Sequence, residues 1–504
     1  MKRIAKTKTG IGGLDEITEG GLPANRPTLL CGGPGCGKTL LAVEFIVKGA
    51  TLYNEPGVFM TFEEKAEELT ENVASLGYDL DKLAKDKKLR LDYVQIDRTE
   101  IEETGEYDLD GLFIRLEHSI DSIRAKRVVL DTIENLFAGL TNQSILRAEL
   151  RRLFQWLKSK GVTAIITGEK GDGTLTRHGL EEYVSDCVIM LDHRIISHVS
   201  TRIMRIVKYR GSVHGTNEYP FLIDEDGITV FPVTSLRLDK DVSNKRVSTG
   251  IPTLDLMFDG KGFFRGSSIL VSGTSGTGKT SIAALFAAAT CKRKEKCLFI
   301  GLEESPKQIV RNMRSIGLDL DRHVKSKLLE FQAFRPGLQG LEMHLASIYK
   351  MVRKFKPQSV VLDPITGLVT VGSPREVNAM LLRLIDFMLS EGITLMMTAL
   401  SSGSAEHFDE NVSSLVDAWI LVRDLESDGE RNRAIYIMKS RGMEHSNKVR
   451  EFLITSTGLH LVDVYRGTNG VLIGSARKAK MKEELASEKS PRRSANKVAK
   501  NIRK

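Results

Sequence analysis

Two stretches of this chain set glycines around a lysine and a threonine at the end of an apolar run. The first reads Gly32-Gly33-Pro34-Gly35-Cys36-Gly37-Lys38-Thr39 and the second Gly273-Thr274-Ser275-Gly276-Thr277-Gly278-Lys279-Thr280. Both satisfy G-x-x-x-x-G-K-[ST]. In that loop glycine amides wrap phosphates, the lysine neutralises β and γ oxygens, and the threonine hydroxyl is a magnesium ligand. Two nucleoside triphosphates per chain are expected, ATP with Mg2+. A glycine-rich turn without nucleotide is the bland alternative, and two loops in matched contexts weigh against it.

Carboxylates recur at matched places. Asp131 and Asp363 each end an apolar run, where a carboxylate can join the metal shell of Thr39 or Thr280. An aspartate there can instead cap the following helix. Glu63-Glu64 and Glu303-Glu304 lie about 25 residues beyond each loop lysine. Beside a nucleotide, one such carboxylate can activate a nucleophile while its neighbour supports it; otherwise the pair is a solvated helix opening. Lys208/Arg210 and Lys439/Arg441 sit late in each half, before a glycine, with a spacing that puts both cations on one strand face. In a ring of domains they can reach a neighbour's γ-phosphate as arginine fingers do, or else form an edge-strand charge pair.

These groups must be carried by a repeated element order. The loop lysines are offset by 241 positions, and similarity extends well past the loops. Thr9 to Asp15 pairs with Thr249 to Asp255, Val58 to Glu64 with Leu298 to Glu304, Arg127 to Asp131 with Ser359 to Asp363, and Val207 to Gly211 with Met438 to Gly442. A unit of about 240 residues can bury its own core, so this is a duplicated domain. Short β-branched runs alternate with helix-period stretches in each copy, which predicts a doubly wound α/β fold with ligands at the carboxyl ends of its strands. The expected divisions are 1–240, 241–470 and a basic flexible tail over 471–504, with the linker between Leu236 and Ser248.

The chain has 504 residues, 41% apolar and 27% charged, as a globular protein does. No apolar run approaches a membrane span and the basic N-terminus leads into no hydrophobic core, so a cytoplasmic protein is expected. Its five cysteines lack metal spacing and read as reduced, structural thiols; Cys36 is either a small residue that fits its loop or a redox-sensitive one. The net charge of +8 is concentrated in the tail, where eleven Lys/Arg face three Glu from Arg477 to Lys504. The near-neutral body argues against nucleic acid as its partner, while the tail can suit nucleic acid, an acidic protein or an anionic surface.

In combination, the two phosphate loops, the Phe-Glu-Glu and Leu-Glu-Glu strand ends and the Lys-x-Arg-Gly segments resemble the KaiC family of RecA-like ATPases, over residues from about 8 to 475. The resemblance implies two tandem RecA-like domains, each a mostly parallel, helix-covered sheet. It also implies a homohexameric double ring with ATP at subunit interfaces, slow hydrolysis chiefly in the first ring, and autophosphorylation in the second. The implied catalytic residues are Glu63, Glu64, Glu303 and Glu304, with Glu303 also near the metal. In the first copy the implied nucleotide contacts are Gly35, Cys36, Gly37, Lys38, Thr39, Leu40, Ser75, Lys208, Tyr209, Arg210 and His214. In the second they are Gly276, Thr277, Gly278, Lys279, Thr280, Ser281, Lys439 and Arg441. Signalling partners of the KaiB or histidine-kinase type go with the family.

The family's phosphorylated pair precedes a strand in the second copy, where this chain reads Asn411-Val412-Ser413-Ser414-Leu415-Val416-Asp417. Counting back from the shared aspartate, the first copy offers Glu182-Tyr183. Ser413 and Ser414 are therefore the candidate acceptors, unless they make only local backbone bonds. The clock members usually carry serine then threonine, and a threonine where this chain has Phe408; their tail is a partner-binding segment rather than a basic one. Two other readings remain open: a DNA-dependent RecA-like recombination or helicase-loading ATPase using the tail, and a nucleotide-sensing ring without kinase activity.

Overall fold

The structure is a computed structural model that describes residues 4–95, 109–137, 143–171, 174–176, 179, 185–196, 199–232, 243–401, 412–427, 430–467, 470–472 and 474–488. The chain forms two compact units, each organised on a nine-stranded sheet.

In the first unit the strands are β1 (Pro27–Gly32), β2 (Gly57–Thr61), β3 (Leu89–Tyr93), β4 (Arg127–Asp131), β5 (Thr163–Glu169), β6 (Cys187–Ile196), β7 (Val199–Tyr209), β8 (Glu218–Asp224) and β9 (Gly227–Val230). Their order is β3-β2-β4-β5-β1-β6-β7-β8-β9. The first six are parallel, and β7 to β9 extend the sheet antiparallel. The second unit repeats this with β10 (Ser268–Gly273), β11 (Cys297–Gly301), β12 (Leu329–Ala333), β13 (Ser359–Asp363), β14 (Thr394–Leu400), β15 (Ala418–Ser427), β16 (Glu430–Ser440), β17 (Arg450–Thr455) and β18 (Gly458–Asp463). Its order, β12-β11-β13-β14-β10-β15-β16-β17-β18, is that of the first sheet. Even the register shift recurs, at Val188/Ile189 and Trp419/Ile420.

Burial explains the parallel part. Along β2, β4 and β5, Val58, Met60, Val128, Leu130, Ala164 and Ile166 enter one core cluster. The intervening Phe59, Val129 and Ile165 enter another. Successive side chains point to opposite faces, so a sheet covered on both sides needs unbroken apolar runs. The helices after the loops, α1 (Lys38–Leu52) and α2 (Lys279–Lys292), are apolar around most of their circumference and buried accordingly.

Within the expected linker, Arg246–Val247 pairs as a short strand with Phe263–Phe264, while 233–242 lie outside the described residues. In the tail, the structure adds a hairpin (Tyr465–Gly467 with Gly470–Leu472) and a helix, Gly474–Glu488. Arg477, half of an ion pair with buried Glu451 at 3.0 Å, fastens the start of that helix. Among the described residues no helix is long and apolar enough to cross a membrane.

Candidate functional site

Each phosphate loop joins the carboxyl end of a central strand to a helix N-terminus. Gly37 and Gly278 precede α1 and α2 with φ of 100° and 98°, and no side chain caps either helix, so the first-turn amides face the hollow of the loop. A Cβ at Gly33, Gly35 or Gly276 would meet nothing within 4 Å, which leaves that side of the loop open to a ligand. Lys38 Nζ donates to the carbonyls of Gly32 and Gly33 at 2.9 and 3.0 Å. Lys279 Nζ does the same to Gly273 and Thr274 at 2.9 and 2.7 Å. Both ammonium groups are thereby centred over their loops. Cys36 is buried beneath its loop, and that burial pushes the thiol pKa up, away from the reactive thiolate.

The strand-end aspartates are buried. Asp131 accepts from Thr167 and Thr39, and Asp363 from Thr398 and Thr280. Neither caps a helix: the N-cap positions fall on Thr132 and Pro364, without side-chain caps. Burial raises both carboxyl pKa values above the usual aspartate range, the threonine hydroxyls opposing it. A cation would relieve that penalty, and a threonine hydroxyl beside a carboxylate is a hard oxygen pair. Magnesium takes one or two protein oxygens together with phosphate and water. The described residues hold no cluster of three or more His, Cys, Asp or Glu that would make an all-protein cage.

The glutamate pairs follow β2 and β11. In the first unit the N–H groups of Glu63 and Glu64 bond Thr61 Oγ1, and Thr132 Oγ1 donates to Glu63 at 3.3 Å. In both units an asparagine eight residues on holds the second glutamate, Asn72 to Glu64 and Asn312 to Glu304, each at 3.4 Å. Glu303 has its pKa raised by partial burial, then by the carboxylates of Asp363 and Glu304, with Lys279 opposing. A carboxylate so placed is a better base than an exposed one.

In the second unit Gly276, Gly278, Lys279, Thr280, Ser281, Glu303, Glu304 and Asp363 line one cavity of about 360 Å³. Asn312 and Ser315 line it too, and single-residue reasoning missed them. Counted from the glutamate pairs, which lie 240 positions apart, Ser75 falls onto Ser315 and Asn72 onto Asn312, which is the signal that could have found them. Ser75 itself ends the helix Ala66–Ala74. Leu40 and Thr39 lie in the first turn of α1.

Lys439 and Arg441 line no part of that cavity. They turn to the helical segment 412–415, where Lys439 Nζ donates to the Ser413 carbonyl and Arg441 Nη2 to the Ser414 carbonyl, each at 2.7 Å. Ser414 is exposed and Ser413 half-buried. In the first unit Arg210 lies 3.8 Å from Asp186, which also pairs with Arg26 and Lys158. Between Lys208 and Arg210, the Tyr209 ring is buried, with its hydroxyl donating to Gly21 and His214 stacked on it. Tyr209 can meet a nucleotide only through its main chain. Glu182, Tyr183, Phe408 and Asn411 lie outside the described residues.

Comparison with known proteins agrees with this double site. A family model described as "ATPase: KaiC" matches twice, over residues 7–235 and 247–465. The circadian clock protein KaiC2 of Synechocystis sp. is 55% identical over 487 residues, covering 96% of this chain and 86% of that one. The circadian clock oscillator protein KaiC of Synechococcus elongatus is 36% identical over 477 residues, covering 94% and 92%. That of Parathermosynechococcus lividus is 36% identical over 489 residues, covering 96% and 90%.

Proposed function

The chain belongs to the KaiC ATPase family, and from that premise we propose that it is an ATP-hydrolysing serine autokinase of the clock-protein type, a double-ring homohexamer that signals by its phosphorylation state. The observation that carries this reading is in the second unit. Loop, metal-type oxygens and paired glutamates line one cavity there, while the in-trans cations of the family hold the segment bearing Ser413 and Ser414.

Lys279 and the first-turn amides of α2 bind and orient the β and γ phosphates. Thr280 and Asp363 would hold Mg2+, which would supply positive charge to neutralise that developing on those phosphates. Glu303 takes the proton from the attacking hydroxyl, and Glu304, fixed by Asn312, supports it. The serine oxygen bonds to the γ phosphorus as the bond from that phosphorus to the bridging oxygen breaks, giving phosphoserine and ADP. With water as nucleophile the same step yields inorganic phosphate, and in the first unit Glu63 serves with Lys38, Thr39 and Asp131. Domain bounds of 1–240 and 241–470, a cytoplasmic location, and recognition by partners of the KaiB or histidine-kinase type belong to the same proposal.

Intact-mass analysis before and after incubation with Mg2+ and ATP, with peptide mapping, tests it. Phosphate should appear on Ser413 or Ser414 and be absent from Glu303→Gln. Steady ATP consumption with no added phosphate would leave a ring ATPase without kinase function.

A further inference from the structure

A cavity larger than that of the nucleotide site lies elsewhere in the second unit. It is a groove of about 1020 Å³ at the outermost strand of the sheet, β12, lined by the helix Pro306–Arg314, by Asp321 and Val324 of the helix Asp321–Lys325, and by Phe355 at the end of the helix Leu341–Phe355. Its floor is apolar, made by Val310, Val324, Leu328, Phe331 and Phe355, with Val324 39% exposed. Five cations line it: Lys296, Lys307, Arg311, Arg314 and Lys327. Only Asp321 and Glu330 oppose them, and Asp321 is taken up by Arg314.

The duplicated domain supplies an internal control. At the same place in the first unit the helix Ala66–Ala74 carries Glu67, Glu68 and Glu71 and no cation, whereas Pro306–Arg314 carries Lys307, Arg311 and Arg314 and no acid. Val310 corresponds to Thr70, Arg314 to Ala74, and Leu328 to Lys88. In both helices the side chain three residues in accepts from the N-cap backbone N–H, Glu68 from Lys65 and Gln308 from Ser305, and both bury the same two positions, Leu69 and Val73 in one, Ile309 and Met313 in the other. The fold is thus made with an acidic helix face as well, so the cations of Pro306–Arg314 are not required for packing, while Val310 and Leu328 show more apolar surface at this place than Thr70 and Lys88 do. Exposed apolar surface rimmed by charge of one sign marks an interaction site.

We propose that this groove is a docking site for an acidic, amphipathic segment of a partner protein. Its apolar side chains seat on Val310, Phe331 and Phe355, and its carboxylates meet Lys307, Arg311 and Lys327. The basic tail of this chain has the wrong charge to fill it.

The test uses the full-length chain and a fluorescent peptide in which glutamates alternate with leucine and phenylalanine. Anisotropy should show binding that weakens about tenfold or more as salt is raised. The substitutions Lys307→Glu, Val310→Thr and Arg311→Glu together give this helix the first unit's residues. They should weaken binding by about tenfold or more while ATP turnover stays within about twofold of wild type. Absence of binding, or equal binding by the triple variant, would overturn the proposal. Equally tight binding of polyglutamate or single-stranded DNA would show a bare polyanion surface instead. A changed assembly mass of the triple variant in light scattering would show that a second copy of the chain occupies the groove.

Discussion

Asp363 is 5% exposed and carries a charge that its surroundings resist, so the hydroxyls of Thr398 and Thr280 decide what ionisation costs there. Thr398→Val keeps the shape and removes one donor. Leaving a buried acceptor short of its partner costs about 1–3 kcal/mol, so the second unit of Thr398→Val should lose that much unfolding free energy and unfold at a lower urea midpoint, with the first unit unaffected. An unchanged midpoint would mean that Thr398 is only a packing residue. The loop, its lysine, the strand-end aspartates and the glutamate pairs were legible in the sequence because each motif is local and repeated. Thr398 was not, because its partnership with Asp363 exists only where β13 and β14 pair side by side. Asn312 and Ser315 reach the site through a helical turn, so only the repeat offset pointed to them.

The parallel, doubly wound core could be anticipated as a class, since unbroken apolar runs separated by helices allow little else. The antiparallel extension β16 to β18 could not, because alternation in an edge hairpin reads the same wherever the hairpin attaches. Short elements carry information of another kind. In the helix Asp321–Lys325, His323 is buried and its Nε2 accepts from Arg322 Nε at 3.2 Å, a bond that needs the ring neutral. Burial, then Arg322 and Lys292, hold its pKa below the usual 6.5, with Asp319 opposing. The unfolded chain therefore takes up the proton more readily than the folded one, and the stabilisation, complete above the unfolded value, is lost as pH falls through the lowered folded value. Thermal unfolding of the second unit should lose midpoint between about pH 7.5 and 5.5, and His323→Gln should flatten that slope. An equal slope in the variant would assign the dependence to other groups.

At the scale of the whole assembly, Lys439 and Arg441 hold the acceptor segment of their own chain, yet in the proposed ring they answer to a neighbour's nucleotide. These roles are compatible if cation and acceptor serine arrive together at the next subunit's loop, and that makes a sharp demand on mixed rings. A Lys279→Ala chain has lost its second phosphate loop but keeps its cations and serines; a Lys439→Ala chain keeps the loop and has lost a cation. Alone, each should gain no phosphate on Ser413 or Ser414. Mixed in equal amounts, about a quarter of the interfaces join an intact loop to an intact cation if subunits assemble at random. The phosphate should then lie only on the Lys279→Ala chain, which has no functional second loop of its own, as mass analysis of the two distinguishable chains would show. Phosphate on the Lys439→Ala chain in the mixture alone would mean that a neighbour's Lys439 serves the reaction but does not arrive together with its own chain's serines. Phosphate on neither would mean that loop, cation and acceptor act within one subunit, and the ring would be an assembly of independent sites rather than a shared catalyst.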